Sequence, residues 1–253
     1  MTVELRRLTP AAEEGWATLF ALADETTESW VLVGGQMMYV LAVELGAERV
    51  RPTEDIDVVV NVRVRPNGTA WLSRWLETRG FVLEGVNANH IGHRFIRATK
   101  AGRATVIFDV LAPSGIGPRA RLTTVAPART VQAPGSLQAF DRSRLVEVLI
   151  SDSDDRNESK GVVRCPDLLG ALVAKAAATT IAARDNPDRD WQDVALLLSV
   201  VDDPLGTSER LNRRDRQYLC RLRPLLDAAH NGWENLSPEA RRRGTTSLSY
   251  LID

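Results

Sequence analysis

Cysteine, histidine and long apolar runs are all scarce in this chain, and each shortage excludes a class of protein. The sequence has 2 cysteines and 3 histidines, which are too few for a disulfide framework or a thiolate zinc site. No apolar run approaches the roughly 20 residues that a membrane-spanning helix requires. The first residues lack the charged and then apolar layout of a signal peptide. We therefore expect a soluble, cytosolic protein with no membrane partner.

Lysine is also scarce, although positive charge is not. Only Lys100, Lys160 and Lys175 are lysines, whereas 29 residues are arginines, and the formal net charge is −1. Codon usage in a GC-rich genome would produce this bias. Recognition of phosphate or RNA would produce it too, because a planar guanidinium forms two parallel hydrogen bonds with such groups. Composition alone does not decide between the two explanations.

Length and the order of predicted elements indicate the fold class. At roughly 150 residues per domain, a chain of 253 residues corresponds to one large two-lobed domain or two small ones. Strands alternate with helices in the first part and helices dominate the second, which is typical of an α/β (α+β) fold. We predict a lobe with a mixed sheet and flanking helices over residues 1–155 and an α-helical lobe over residues 156–253 that completes a cleft.

Local patterns place the individual elements. Thr9 and Pro10 predict the start of a first helix, and the apolar run 30–33 predicts a buried strand that ends at Gly34 and Gly35. The remaining predicted helices are 36–45, one containing residues 71–76, 168–183, 191–201 and 219–229, and the remaining predicted strands are 53–60, 81–83, 94–97 and 104–111. The polar stretch 152–160 predicts a loop or a linker between the lobes.

Three carboxylates fall where apolar strands are expected. Asp55 and Asp57 are two residues apart, so a strand would point both side chains to one face, and Asp109 interrupts another apolar strand. Buried carboxylates are costly unless a cation compensates them. Oxygen ligands of this kind suit Mg²⁺ or Mn²⁺, and pairs of such ions assist phosphoryl and nucleotidyl transfer. Gly34 and Gly35, with a helix after them, form a candidate phosphate cradle.

The types and order of these residues resemble the motifs of the nucleotidyltransferase fold in the DNA polymerase β superfamily. More narrowly, the chain is similar to the AbiEii/MenT branch of nucleotidyltransferase-like toxins over roughly residues 30–200. The motifs that carry the resemblance are Gly34-Gly35, Arg51-x-Thr53-x-Asp55-x-Asp57, Asp109, Lys175 on a helix, Arg184, and Asp190 and Asp193 in Arg189-Asp190-Trp191-Gln192-Asp193. The resemblance implies a mixed sheet of the nucleotidyltransferase type.

The resemblance also implies a role for each matching residue. Asp55, Asp57 and Asp109 would hold the divalent metal ions, with Asp109 also helping to deprotonate the attacking hydroxyl. The expected contacts to the phosphates of the nucleoside triphosphate come from Gly34, Gly35, Thr53 and Lys175. Arg184 and Asp190 are further expected nucleotide-binding residues. Asp193 or Asp190 would complete the site by orienting Lys175, Arg184 or substrate.

Several of these positions have simpler explanations. Lys175 can lie at a helix edge with its charge in solvent, Arg184 can be a cation at a helix end, and Asp190 and Asp193 can be acids of a first helical turn. The chain also departs from the family pattern. Gln36 stands where a small residue is usual and can crowd or contact the nucleotide, and Glu54 adds a negative charge beside the triphosphate.

The resemblance implies a toxin of a toxin–antitoxin or phage-defence system that transfers NMP to a tRNA 3′ end, with a cognate antitoxin as a partner. Two alternatives stay open: nucleotidyl transfer to a small-molecule or protein hydroxyl, and a catalytically silent nucleotide-binding module. Residues 204–253 carry nine arginines and six acids. These arginines, in 213–216 and 241–243 above all, are candidate RNA contacts, or simply a solvated helix face.

Overall fold

The computed structural model describes residues 2–48, 53–117, 119–151, 158–181 and 188–253. In chain order the strands are β1 (Thr2–Arg6), β2 (Trp30–Val33), β3 (Ile56–Val60), β4 (Val82–Leu83), β5 (Arg94–Ala98), β6 (Thr105–Pro113), β7 (Gln132–Ala133), β8 (Ser143–Ser151) and β9 (Glu158–Pro166). The α-helices are α1 (Pro10–Glu25), α2 (Gly34–Glu44), α3 (Gly68–Glu77), α4 (Ser136–Asp141), α5 (Leu168–Ala178), α6 (Asp188–Ser199), α7 (Pro204–Glu209), α8 (Arg213–Leu219) and α9 (Pro238–Ile252). Short 3₁₀ helices span Cys220–Leu226 and Asn231–Trp233.

The central sheet is mixed, as predicted. Its strand order is β2-β3-β6-β5-β4, and β7 pairs with β6 beside that path. Strands β3 and β6 run parallel, whereas β2, β5 and β4 are antiparallel to their neighbours. A second sheet has the order β1-β8-β9, and helices dominate after β9. The α/β (α+β) fold class is confirmed.

Local features of the sequence explain where helices α1 and α2 begin. The Thr9 side chain accepts a hydrogen bond from the amide of Ala12, and Pro10 occupies the first turn of α1, so the predicted cap is confirmed. Every residue of β2 is buried, and α2 follows at once from Gly34 rather than from Gln36. The N-terminus of α2 therefore lies directly at the end of a buried strand.

Other sequence-based predictions differ from the structure, among them the helix predicted over 168–183, which ends at Ala178. Residues 158–160, predicted as loop, extend β9 because the hairpin with β8 continues through backbone pairing as far as Ser151 and Glu158. The single helix predicted over 219–229 is instead a 3₁₀ helix from Cys220 to Leu226, which has Pro224 inside it. Proline supplies no amide proton and its ring clashes with the preceding turn, so an α-helix does not continue there.

One buried apolar cluster unites both predicted lobes. It includes Trp16 and Phe108 from the first part and Leu172, Leu198 and Trp233 from the second. The predicted boundary at residue 155 lies in 152–157, outside the described residues, so the division into 1–155 and 156–253 stays a prediction. Among the described helices, none combines the length and the apolar character needed to span a membrane.

Candidate active site

A cleft of about 870 Å³ opens between the central sheet and helices α5 and α6. Its sheet side includes Asp55, Asp57 and Asp109, and its helical side includes Lys175 and Asp190. The start of α2 and the segment that follows β7 complete the walls. Five residues that are far apart in the sequence, and that the resemblance assigns to catalysis or nucleotide binding, therefore line one cavity.

Strand register brings the carboxylates together. Asp57 and Asp109 are direct partners across the parallel pair β3–β6, so their side chains lie next to each other on one face of the sheet. Asp55 precedes β3, which begins at Ile56 and not at residue 53 as predicted. Even so, its carboxylate lies close enough to Asp109 for both to contact the same arginine, Arg94.

The two glycines at the start of α2 are required by close contacts. Gly34 has φ +66°, and a β-carbon added there would lie 1.8 Å from Oδ2 of Asp57. A β-carbon on Gly35 would lie 2.6–2.8 Å from the side-chain atoms of Thr53. Any larger residue at either position would displace a predicted site residue, and both glycines line the cleft at the N-terminus of α2.

Gln36 holds the segment before the carboxylates in place. Its side chain is fully buried, donates to the carbonyl of Thr53 at 2.8 Å and accepts from the indole of Trp16 at 2.9 Å. It therefore supports the Thr53 loop from the core and is not among the residues that line the cleft. Glu54, the other departure from the family pattern, is exposed.

The clustered carboxylates disturb each other's ionisation. Burial, reinforced by the negative charges of Asp109 and Asp55, raises the pKa of Asp57 to about 7. Burial also raises the pKa of Asp55, although the Arg94 charge opposes that effect. Near neutral pH the site therefore holds more negative charge than it stabilises well, and an added cation would relieve this repulsion.

Arg94 forms salt bridges with two of the three sheet carboxylates. Its Nε and Nη2 atoms donate to the two oxygens of Asp109 at 3.0 and 2.8 Å, and Nη2 also reaches Oδ2 of Asp55 at 3.3 Å. The hydrogen bonds to Asp109 raise the pKa of Arg94 still further above its usual value. No sequence motif identifies Arg94 as a site residue, because only the pairing of Arg94 in β5 with Asp109 in β6 brings the two together.

Lys175 forms a buried ion pair on the helical side. Its Nζ lies 2.6 Å from Oδ2 of Asp193 and 3.6 Å from Oδ1 of Asp190, and all three side chains are at most 9% exposed. This burial excludes the alternative that Lys175 lies at a helix edge with its charge in solvent. Asp190 and Lys175 line the cleft, whereas Asp193 binds Lys175 from behind it.

Arg189 adds a second cation that the sequence analysis did not single out. It lines the cleft, and its Nη2 lies 3.5 Å from Oγ1 of Thr53. Its position directly before Asp190, in the first turn of α6, is the sequence signal that would have identified it. Arg184 was predicted to bind nucleotide, but it lies in 182–187, outside the described residues, so that role stays a prediction.

The donor set has the chemistry that Mg²⁺ prefers. Asp55, Asp57 and Asp109 supply hard carboxylate oxygens from adjacent positions, and the raised pKa of Asp57 indicates a deficit of positive charge. As the side chains stand, however, no three acidic, histidine or cysteine side chains of the described ranges form a ready ligand group. Arg94 already joins two of the three carboxylates.

The C-terminal arginines divide into two kinds. Arg216 donates to the carbonyl of Ser208, and Arg241 donates to the carbonyls of Ala228 and Trp233, so these two stabilise the chain's own loops. Arg213, Arg214, Arg242 and Arg243 are exposed. Four of the six arginines in 213–216 and 241–243 therefore remain accessible to an anionic partner.

Comparison with known proteins finds similarity among solved structures. No protein-family model matches the chain, and no curated protein matches it. The chain is similar in structure to an antigenic nucleotidyltransferase-like protein from Paracoccidioides brasiliensis, with 15% sequence identity, a TM-score of 0.49, and coverage of 86% of this chain and 92% of that chain. What the chain does therefore has to follow from the chemistry of its own cleft.

Proposed function

We propose that the protein is a Mg²⁺-dependent nucleotidyltransferase that moves a nucleoside monophosphate from an NTP to an acceptor hydroxyl. One observation carries the proposal: three sheet carboxylates, the glycine N-terminus of α2 and Lys175 line the same cleft. The hydroxyl oxygen would bond to the α-phosphorus, the bond to the β-phosphate would break, and pyrophosphate would leave.

Each side chain has a task in that reaction. We assign metal binding to Asp55, Asp57 and Asp109, and acceptance of the hydroxyl proton to Asp109. The ions, when bound, would neutralise the charge that develops on the attacking and leaving oxygens. Lys175 would bind the β- and γ-phosphates across the cleft, and Asp193 would keep its ammonium in position.

The backbone of α2 would hold the phosphates. Amides at a helix N-terminus have no partner within the helix, and they favour an anion through both hydrogen bonds and the helix dipole. Gly34 and Gly35 line the cleft, and neither has a side chain that would come between these amides and an anion. Arg189, which lines the cleft beside Asp190, would supply a further positive charge.

We propose the tRNA 3′ end as the acceptor and toxicity as the biological outcome, with a cognate antitoxin. The support is the open cleft with Arg94, Arg189 and Lys175 along it, together with the four exposed arginines of 213–216 and 241–243. Such charges attract a polyanion. An enclosed acidic pocket would instead favour a small cationic acceptor.

A labelling experiment tests both levels of the proposal. Each radiolabelled NTP is incubated with Mg²⁺ and total tRNA, and three proteins are compared: wild type, Asp57→Asn and Asp202→Asn. We expect wild type to label tRNA, Asp57→Asn to lose about 10²-fold or more of the rate because a metal ligand is removed, and Asp202→Asn to match wild type. Asp202 is an exposed residue that undergoes the same chemical change.

Two controls separate the acceptor from the chemistry. Periodate oxidation destroys the 3′-terminal diol of tRNA, and we expect it to prevent labelling. Label on protein or on a small molecule in place of tRNA would reject the tRNA acceptor and keep nucleotidyl transfer. Absence of any label, or equal labelling by Asp57→Asn, would reject nucleotidyl transfer itself.

A silent nucleotide-binding module is the second candidate, and Arg94 is the observation that favours it. Its guanidinium forms salt bridges with Asp55 and Asp109 where a metal ion would otherwise bind, as expected in a site that binds nucleotide but does no chemistry. Equilibrium dialysis with the labelled NTPs distinguishes the two. Nucleotide binding without transfer, unchanged by added Mg²⁺, would support the module.

A further inference from the structure

The contact between Arg94 and two of the sheet carboxylates has the geometry of a strong, specific ion pair. Two parallel hydrogen bonds join the guanidinium to Asp109, whose side chain is 6% exposed. The same Nη2 atom spans to Asp55 at 3.3 Å. Charge-assisted bidentate bonds are about twice as strong as neutral hydrogen bonds, so the guanidinium holds the Asp109 carboxylate in place and also contacts Asp55.

Two further cations among the described residues line the cleft, and each has contacts of its own. Lys175 is held by Asp193, and the Nη2 of Arg189 contacts Thr53. Within the described part of the chain, Arg94 is the residue that forms salt bridges with Asp55 and Asp109, although the charge of Arg189 also lowers the pKa of Asp55. The Arg94 side chain is 37% exposed toward the cleft, so its guanidinium has space to leave the pair.

We infer that Arg94 is a built-in competitor for the divalent cation, which has to displace the guanidinium from Asp55 and Asp109 before all three carboxylates can bind it. The inference rests on the proposed function only for the kind of cation. Once displaced, the guanidinium would remain in the cleft on its strand, β5, where the phosphates of a nucleotide would be its new partner. Cation and nucleotide would then bind cooperatively, because the cation releases Arg94 from the carboxylates and the nucleotide phosphates bind the released guanidinium.

This competition predicts that removal of the guanidinium strengthens cation binding. Mn²⁺ alone is titrated into the full-length protein, and free Mn²⁺ is measured by electron paramagnetic resonance. We expect Arg94→Gln to lower the dissociation constant about tenfold or more, because no charge-assisted bonds have to break first. The dissociation constant of Arg94→Lys should lie between those of wild type and Arg94→Gln, since an ammonium is a point charge without the planar, forked geometry of a guanidinium.

Arg97→Gln is the matched control. Arg97 lies three residues further along β5, so its side chain points to the opposite face. It pairs with Glu14 at 3.3 Å and stacks on Phe81, away from the carboxylates. We expect this variant to bind Mn²⁺ as wild type does, which separates loss of the Arg94 contacts from the general effect of removing one positive charge.

The outcomes are separable from those of the proposed function. If Arg94→Gln binds Mn²⁺ no more tightly than wild type, or binds none, the inference about Arg94 is wrong whatever the labelling shows. If it binds more tightly and the added Asp109→Asn change reverses the gain, the inference holds even when no nucleotide is transferred. If Arg94→Gln fails to fold, the Arg94→Lys titration decides: unchanged affinity contradicts the competition.

Discussion

At the scale of single residues, Gly34 shows most clearly how the backbone and the site depend on each other. Its positive φ alone would favour glycine, but the carboxylate of Asp57 lies within 1.8 Å of where a β-carbon would be. Gly46 has nearly the same φ, +63°, and has nothing within 4 Å of that position. The pair therefore separates the cost of the backbone conformation from the cost of the contact.

We expect Gly34→Ala to destabilise the protein more than Gly46→Ala does. Alanine in the left-handed region costs roughly 1–2 kcal/mol at either position. The collision with Asp57 should add about 1–3 kcal/mol to the loss of unfolding free energy at position 34, and it should abolish labelling. Urea unfolding of both variants measures the difference. Equal losses would show that Asp57 moves aside without cost.

At the scale of secondary-structure elements, one ion pair joins helix α8 to the end of α4. Arg142 donates to Asp215 at 2.5 Å, and the Asp215 side chain is fully buried. Asp215 also accepts from the amide of Asn212, while the Asn212 side chain accepts from the amide of Asp215. One carboxylate therefore caps α8 and anchors it to the first part of the chain.

Loss of this carboxylate should be costly for the whole fold. We expect Asp215→Ala to reduce the free energy of unfolding by about 3–5 kcal/mol, because Arg142 would be left without its partner in a largely buried position. Glu147→Gln, which removes the exposed pair with Lys160, should scarcely change stability. Chemical denaturation followed by circular dichroism compares them. Similar midpoints for the two variants would contradict an anchoring role for Asp215.

Elements were predictable from the sequence where their signals are local, and the site was predictable only in part. Buried β2, the cap of α1 and the carboxylates of β3 and β6 all follow from patterns within about ten residues. Strand β8 pairs with β1 from the far end of the first lobe, and no local pattern specifies that pairing. The contact between Arg94 and Asp109 depends on the register of β5 against β6, so it becomes visible only in three dimensions.

At the scale of the whole molecule, the net charge of −1 conceals an uneven distribution. Carboxylates concentrate on the sheet side of the cleft, whereas residues 204–253 carry three more arginines than acids. In that part Arg213 and Arg214 are exposed in the first turn of α8. A β-carbon on Gly115, just beyond β6, would lie 3.0 Å from Arg214, so these arginines border the sheet as well.

If tRNA is the acceptor, its binding should depend on salt through these arginines. Each phosphate contact contributes roughly 0.7–0.9 to the slope of log affinity against log salt concentration. We therefore expect Arg213→Gln with Arg214→Gln to weaken tRNA binding and to reduce that slope by about 1–2. Filter binding across salt concentrations measures both. The control is Lys100→Gln with Arg103→Gln, which removes the same charge from another exposed segment and should leave the slope unchanged. If both double variants reduced the slope equally, general electrostatic attraction, and not contact at α8, would hold the RNA.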